Sequence, residues 1–249
     1  VKPIALPDSR TLVDAVLATW PPATIRREGA WTIREGKGGG SRVSSATEDW
    51  PVTEADLPTA EAAMRKLGQT PQFMVRDGEG GLDSLLASHG YAVKDPTNLW
   101  VIEASELAGD RTLPMGGGYG MWPPLELIRD IWIDGEVGAE RQAIMDRAPD
   151  PKAGMLARAG DYPGGAAFVA IHDTIAVVHA LHVLPEARRK GVARRLLKHA
   201  AIWARAHGAD VVGLAVTQGN TAANPLYASL GMRLRGQYHY RIKTEEALT

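Results

Sequence analysis

The chain has 249 residues, an apolar fraction of 45% and a formal net charge of -1, enough for one large core or two modest ones. No apolar run approaches the roughly 20 residues that a membrane-spanning helix needs, and the near-neutral charge gives no excess positive field to draw a nucleic-acid backbone or an anionic membrane. Cysteine is absent, which removes disulfides, thiolate metal sites and thiol nucleophiles together; residues 1–10 lack the basic and apolar regions of a signal peptide, and a cytoplasmic location is the default expectation.

In chain order, residues 8–19 carry Leu12, Val16 and Leu17 at helical spacing, and the pattern predicts a helix. Residues 30–35 and 41–46 flank the run Gly36-Lys37-Gly38-Gly39-Gly40, which predicts a hairpin. A phosphate-cradling role for that run is disfavoured, because no Lys-Ser or Lys-Thr pair follows and the next segment reads as a strand. A second helix is expected over 54–67 from Leu57, Ala60, Met64 and Leu67, then a strand over 72–76. Leu85-Leu86-Ala87-Ser88-His89-Gly90-Tyr91 reads as a short helix stopped by glycine, and the Gly- and Pro-rich stretch 103–124 reads as a connector.

Beyond the connector, Leu125, Ile128, Ile131, Trp132 and Ile144 predict two helical pieces broken near Gly135 and Gly138. Three apolar, partly β-branched runs follow at 152–158, 166–171 and 175–184, separated by turns, and predict an antiparallel meander. From Gly191 a helical face runs through Ala193, Leu196, Leu197, Ala200 and Ala204 until Gly208 ends it, and 211–216 is the next strand. Leu226-Tyr227-Ala228-Ser229-Leu230-Gly231-Met232 then repeats the Leu, Ala, Ser and Gly of residues 85–91 in the same order after a strand. The chain reads as two halves built on one plan.

The turn Arg188-Arg189-Lys190-Gly191-Val192-Ala193 has a definite physical use. A helix start presents unpaired N–H groups and a positive dipole end, so basic residues there are unfavourable unless an anion joins them. Gly191 and Ala193 leave the backbone open to a ligand, and the three cations suit a pyrophosphate. The bland reading is an exposed basic helix N-terminus.

Together with the later Asn220-x-x-Ala223-x-x-Leu226-Tyr227-x-x-x-Gly231-Met232, this loop resembles the GNAT superfamily of N-acetyltransferases. The family's pyrophosphate loop, Q/R-x-x-G-x-G/A, is matched by Arg188, Gly191 and Ala193, and clear resemblance covers residues 152–243. The first half is similar to the family only through residues 85–91: it lacks the loop, and Leu86 stands where the motif has tyrosine. The resemblance therefore implies an α/β (α+β) fold of two GNAT-like mixed sheets flanked by helices. It implies a degenerate, non-catalytic domain over 1–110, a linker over 111–124 and an acetyl-CoA-binding catalytic domain over 125–249.

What the resemblance implies about chemistry is acetyl transfer from acetyl-CoA to a primary amine of a small molecule or peptide, by direct attack in a ternary complex. The backbone near Leu181, His182 and Val183 would hold the pantetheine and acetyl carbonyl on a splayed strand, residues 188–193 the pyrophosphate, and Asn220 the pantetheine arm. Tyr227 is the candidate general acid, against a plain packing role that is the better reading without the motif. His179 and His182 are candidate bases, since neutral imidazole suits proton abstraction near neutrality. In a regular strand they point to opposite faces, so one of them faces the cleft unless a bulge intervenes. His179 ranks first because its parity matches Val183, and ordered water or a packing role stays open for both. A metal centre is not expected from the scattered histidines. The competing reading is an acyl-CoA sensor or interaction module without turnover. The oligomeric state is left at monomer or homodimer, and nothing specifies the acceptor.

Overall fold

The computed structural model describes residues 4–109 and 120–243. Most of the expected linker, 111–124, falls outside them. Helix α1 (Ser9–Ala18) starts at Asp8, whose carboxylate accepts the Thr11 N–H at 2.8 Å, and it buries Leu12, Val13, Ala15 and Val16. Strands β1 (Thr24–Glu28) and β2 (Trp31–Glu35) then form an antiparallel hairpin.

The expected strand over 41–46 is a helical turn instead, α2 (Ser41–Ser44). Gly40, at φ 96°, redirects the chain, and the Ser44 hydroxyl donates to the Gly40 carbonyl at 3.0 Å. Residues 43–46 are all buried rather than alternating, so no period of two exists to support a half-buried strand. The hairpin partner of β2 is thus the strand before it. The short β3 (Thr47–Glu48) pairs with the other edge of β2 to complete a three-stranded sheet.

The chain continues through α3 (Leu57–Lys66), β4 (Gln72–Arg76), α4 (Gly80–Ser88), β5 (Tyr91–Glu103) and α5 (Ala104–Ala108). The second half follows with β6 (Gly120–Met121), α6 (Glu126–Asp134), α7 (Ala139–Arg147) and the meander β7 (Lys152–Ala159), β8 (Tyr162–His172), β9 (Ile175–Val183). It ends with α8 (Val192–Ala206), β10 (Val211–Thr217), α9 (Ala223–Ser229) and β11 (Arg233–Lys243). The fold is mixed α/β, two sheets flanked by helices, and the larger sheet draws strands from both halves in the order β4-β11-β5-β10-β9-β8-β7-β6.

The repeated motif explains that order. Gly90 and Gly231 both sit in the left-handed region, at φ 78° and 81°, where each stops its helix and turns the chain into a long strand. The two units β4-α4-β5 and β10-α9-β11 then exchange their last strands: β11 pairs with β4, and β5 pairs with β10. The exchanged strands also pair with each other.

Helix α8 packs its apolar stripe, Val192, Leu196, Leu197, Ala200, Ala201 and Ala204, on alanine- and valine-rich positions of β7 to β10. Small strand residues let the helix approach closely, and burying each leucine contributes about 2–3 kcal/mol. Helix α1 covers β4, β5, β9, β10 and β11 through a separate buried cluster, and α6 with α7 covers Ala166, Phe168 and Ala170 of β8. No helix among the described residues is long and apolar enough to cross a membrane.

Candidate active site

Strands β9 and β10 run parallel, but their pairing stops early, joining Val211 to Leu214 with Ile175 to Val178. Past that point β10 continues along β5 to Thr217, while β9 stays with β8. The two strands splay, and the edge of β9 that faced β10 loses its strand partner.

A bulge sharpens the opening. His179 lies opposite Phe168 and His182 opposite Ala166, so two residues of β9 face one of β8, and Ala180 takes a left-handed φ of 48°. Because Phe168 and Ala166 share a face, the bulge brings His179 and His182 onto one side of the sheet. Regular alternation would have separated them. Both line a cleft of about 510 Å³, together with Leu181, Val216, Asn220 and Tyr227 of the second half and with Trp20, Arg42, Lys94 and Asp95 of the first.

The basic loop lies beyond the far end of β9. Arg188 is extended, Arg189 takes φ 61° and Gly191 φ 74°, and α8 begins at Val192 with no side-chain cap. Arg189, Lys190 and Gly191 are exposed, and a Cβ placed on Gly191 would meet only the Arg195 guanidinium, at 3.4 Å. Arg188 Nε donates weakly to the Val183 carbonyl at 3.4 Å. The first N–H groups of α8 have no acceptor inside the helix, so the loop offers an open backbone cradle with flanking cations. That donor set fits a pyrophosphate.

Tyr227, on α9, is almost fully buried, and burial pushes its hydroxyl up to about 12. The phenol is therefore a proton donor throughout the neutral range. Asn220 accepts the Ala223 N–H, at the first residue of α9, on its side chain at 2.9 Å. Asn224 bridges the halves: its Oδ1 accepts from Asn98 Nδ2 at 2.9 Å and from Trp100 Nε1 at 3.0 Å.

His179 and His182 sit in contrasting environments. Arg42 Nη1 donates to His179 Nδ1 at 3.2 Å, which leaves the ring proton on Nε2 to donate to Thr19 Oγ1 at 2.8 Å. Thr19 in turn donates to the Ala15 carbonyl at 2.7 Å. Both ring nitrogens are used, Trp20 lies against the ring at 5.0 Å between centroids, and burial plus the Arg42 charge hold the imidazole well below its usual pKa. His182, by contrast, bonds through Nε2 to Asp134 Oδ2 at 2.8 Å, at the C-terminal end of α6. Gly135 leaves room for the ring: a Cβ there would lie 2.5 Å from His182 Cγ.

Sequence reasoning passed over Thr19, Trp20, Arg42 and Asp134. Arg42 stands two residues after the glycine run and Asp134 directly precedes a predicted helix break, but neither position carries a chemical signal until the β9 histidines are beside it. The other predicted site residues fall in two groups, the cleft with Leu181, His182, Asn220 and Tyr227, and the loop with Arg188 to Ala193; Val183 is in neither, pairing with Gly165 and packing against the core under α8.

A splayed parallel pair and a bulge thus open the cleft, and an exposed basic helix start follows at the next turn. Residues 121–232 match the model of the Acetyltransferase (GNAT) family. Over those residues, somewhat under half of the chain, the protein is similar to GNAT acetyltransferases. It is 24% identical to the "Uncharacterized N-acetyltransferase YobR" of Bacillus subtilis over 247 residues, 95% of this chain and 99% of that one. Its fold is similar to a GCN5-related N-acetyltransferase from Kribbella flavida, with a TM-score of 0.74, 19% identity and 96% of each chain covered. A tandem GNAT protein from the clavulanic acid biosynthesis pathway shares the fold at a TM-score of 0.60 and 15% identity, over 89% of this chain and 84% of that one.

Proposed function

We propose that the protein transfers an acetyl group from acetyl-CoA to a primary amine by direct attack, with both substrates in the cleft between β9 and β10. The observation that carries this reading is the bulged, splayed strand pair opening on a cleft that holds both a protonated tyrosine and a histidine–aspartate pair. Acetyl-CoA supplies the acetyl thioester. Residues 188–193 hold its pyrophosphate, the free edge of β9 at residues 181–183 receives the pantetheine and acetyl carbonyl through main-chain hydrogen bonds, and Asn220 borders the arm.

In this reading His182, positioned by Asp134, takes the amine proton, and the Tyr227 hydroxyl protonates the departing thiolate. A nitrogen–carbon bond forms as the carbon–sulfur bond breaks. His179 was the first candidate for the base, but its engaged nitrogens and the adjacent Arg42 cation suit it to shaping the cleft. Residues 1–110 act as a non-catalytic half that builds the acceptor wall through Trp20, Arg42, Lys94 and Asp95, and 125–249 carry the chemistry. The test is thiol release from acetyl-CoA across a panel of amines. Tight coenzyme A binding with no release on any amine would overturn the reading in favour of a binding module.

A further inference from the structure

The acceptor wall carries an unbalanced charge. Arg42 points its guanidinium into the buried end of the cleft, where Nη1 meets His179 Nδ1 and Nη2 donates to the Tyr238 hydroxyl at 3.3 Å. Nε is buried and has no partner. None of its partners is a carboxylate: burial and the Arg42 charge hold His179 well below its usual pKa, and although burial disfavours the Arg42 charge, the Tyr238 and Tyr240 hydroxyls beside the guanidinium raise its pKa. Among the described residues Arg42 forms no ion pair, and neither do the two other cations of the cleft, Lys94 and Arg141.

Arg141 stands at the same wall, its Nη2 within 3.7 Å of a Cβ placed on Gly40. Three cations thus line a cleft whose own lining has one acid, Asp95, the Asp134 carboxylate being held by His182, in a chain whose net charge is -1. A cation held in the cleft wall without a carboxylate partner is costly, and holding a neutral imidazole needs only a neutral donor. The charge is explained if an anion completes the site. The donor's pyrophosphate is not that anion, because the basic loop lies past the end of β9, and His179 to Val183 alone spans about 13 Å at strand rise.

We propose that the acceptor is a small amino carboxylate whose carboxylate is received by Arg42, with Arg141 and Lys94 supplying the surrounding field. This rests on the transferase reading and names its substrate class. A planar guanidinium with free N–H groups matches a carboxylate geometrically. The cleft volume of about 510 Å³ admits a small molecule beside the pantetheine end rather than a protein surface. Arg42 comes from the first half, so that half sets the acceptor specificity of chemistry done by the second.

The test uses the full chain saturated with coenzyme A and, as probes, N-acetyl-alanine, N-acetyl-leucine and N-acetyl-phenylalanine, each beside its carboxamide. Calorimetry should show at least one carboxylate binding about ten- to a hundredfold more tightly than its amide, the range of a charge-assisted hydrogen bond. Arg42→Gln should erase that preference while leaving amide affinity within about twofold, and Arg42→Lys should retain part of it. A role confined to holding His179 would instead weaken acid and amide alike. Equal binding of acid and amide, a preference that survives Arg42→Gln, no binding of any probe, or tighter binding of O-phosphoethanolamine than of every carboxylate would overturn the proposal. Thiol release separates the two readings. Release with amines that shows no advantage for carboxylates sinks the substrate class and keeps the transferase, whereas an Arg42-dependent carboxylate preference without release on any amine keeps the site and sinks the transferase.

Discussion

Replacing Gly135 by alanine perturbs the proposed base without touching it chemically. Gly135 sits at φ -84° and ψ 18°, a conformation open to alanine, so the backbone imposes no strain and the stiffer unfolded chain adds about 0.4–1 kcal/mol of stability. The new methyl would lie 2.5 Å from His182 Cγ, 2.7 Å from Nδ1 and 2.9 Å from Cβ. Turning the side chain relieves the ring contacts but not the last one, so the end of α6 must also move. The overpacking costs about 1–3 kcal/mol, and losing the 2.8 Å bond to Asp134 costs a further ~1 kcal/mol. The folded state should survive, destabilised by about 2 kcal/mol. Turnover should fall by about 10²- to 10⁴-fold, the usual worth of a positioned base, with coenzyme A affinity nearly unchanged. The assay is steady-state thiol release alongside calorimetric coenzyme A binding, with the histidine ring signals followed by NMR. Turnover within about threefold of the parent while the imidazole signal shows displacement would refute the role of His182. Adding His182→Ala should cost little more, since both changes act on one step.

Tyr227→Phe should lower kcat by about 10²-fold and leave coenzyme A affinity within twofold; unchanged turnover from pH 6 to 9 would remove the hydroxyl from the chemistry. Gly191→Val forces a β-branched residue to φ 74° and places a side chain over the cradle. It should cost about 1–2 kcal/mol of stability and abolish coenzyme A binding, and undiminished affinity in calorimetry would sink the loop assignment. For pH, His179 has a folded pKa well below its ordinary 6.5, because burial and the Arg42 charge disfavour the imidazolium. The unfolded chain therefore binds the extra proton, so stability is full above about pH 6.5 and falls by up to ~1.4 kcal/mol per unit as pH drops below it, until the folded pKa is reached. Urea midpoints at pH 7.5 and 5 should differ accordingly. His179→Phe should flatten part of that slope, and an identical slope in the variant would contradict the assignment.

Much of the framework was legible from residue types and spacing. Helix α8, the meander β7 to β9 and the glycine stops at Gly90 and Gly231 follow from local periodicity and from a backbone conformation that glycine adopts without strain. The basic loop and the Asn220–Tyr227 motif were visible for the same reason: each is contiguous, and its chemistry belongs to its own backbone. The helical turn at Ser41–Ser44 was misread as a strand because all of 43–46 is buried, which erases the alternation on which such a reading depends.

The strand exchange and the polar partners in the cleft came from the tertiary structure. Pairing of β11 with β4 and of β5 with β10 joins segments about a hundred or more residues apart, and no local pattern encodes which edge a strand will choose. The bulge at Ala180 turned two histidines toward one cleft, and packing then gave them opposite fates. Arg42 and Thr19 occupy both nitrogens of His179, while Asp134 meets one nitrogen of His182. The sequence by itself determined that a basic, glycine-containing loop precedes a helix in the second half. Which partners each imidazole meets, and that a cation from the first half lines the same cleft, was decided only in three dimensions, because hydrogen-bond partners are selected by distance in space rather than along the chain.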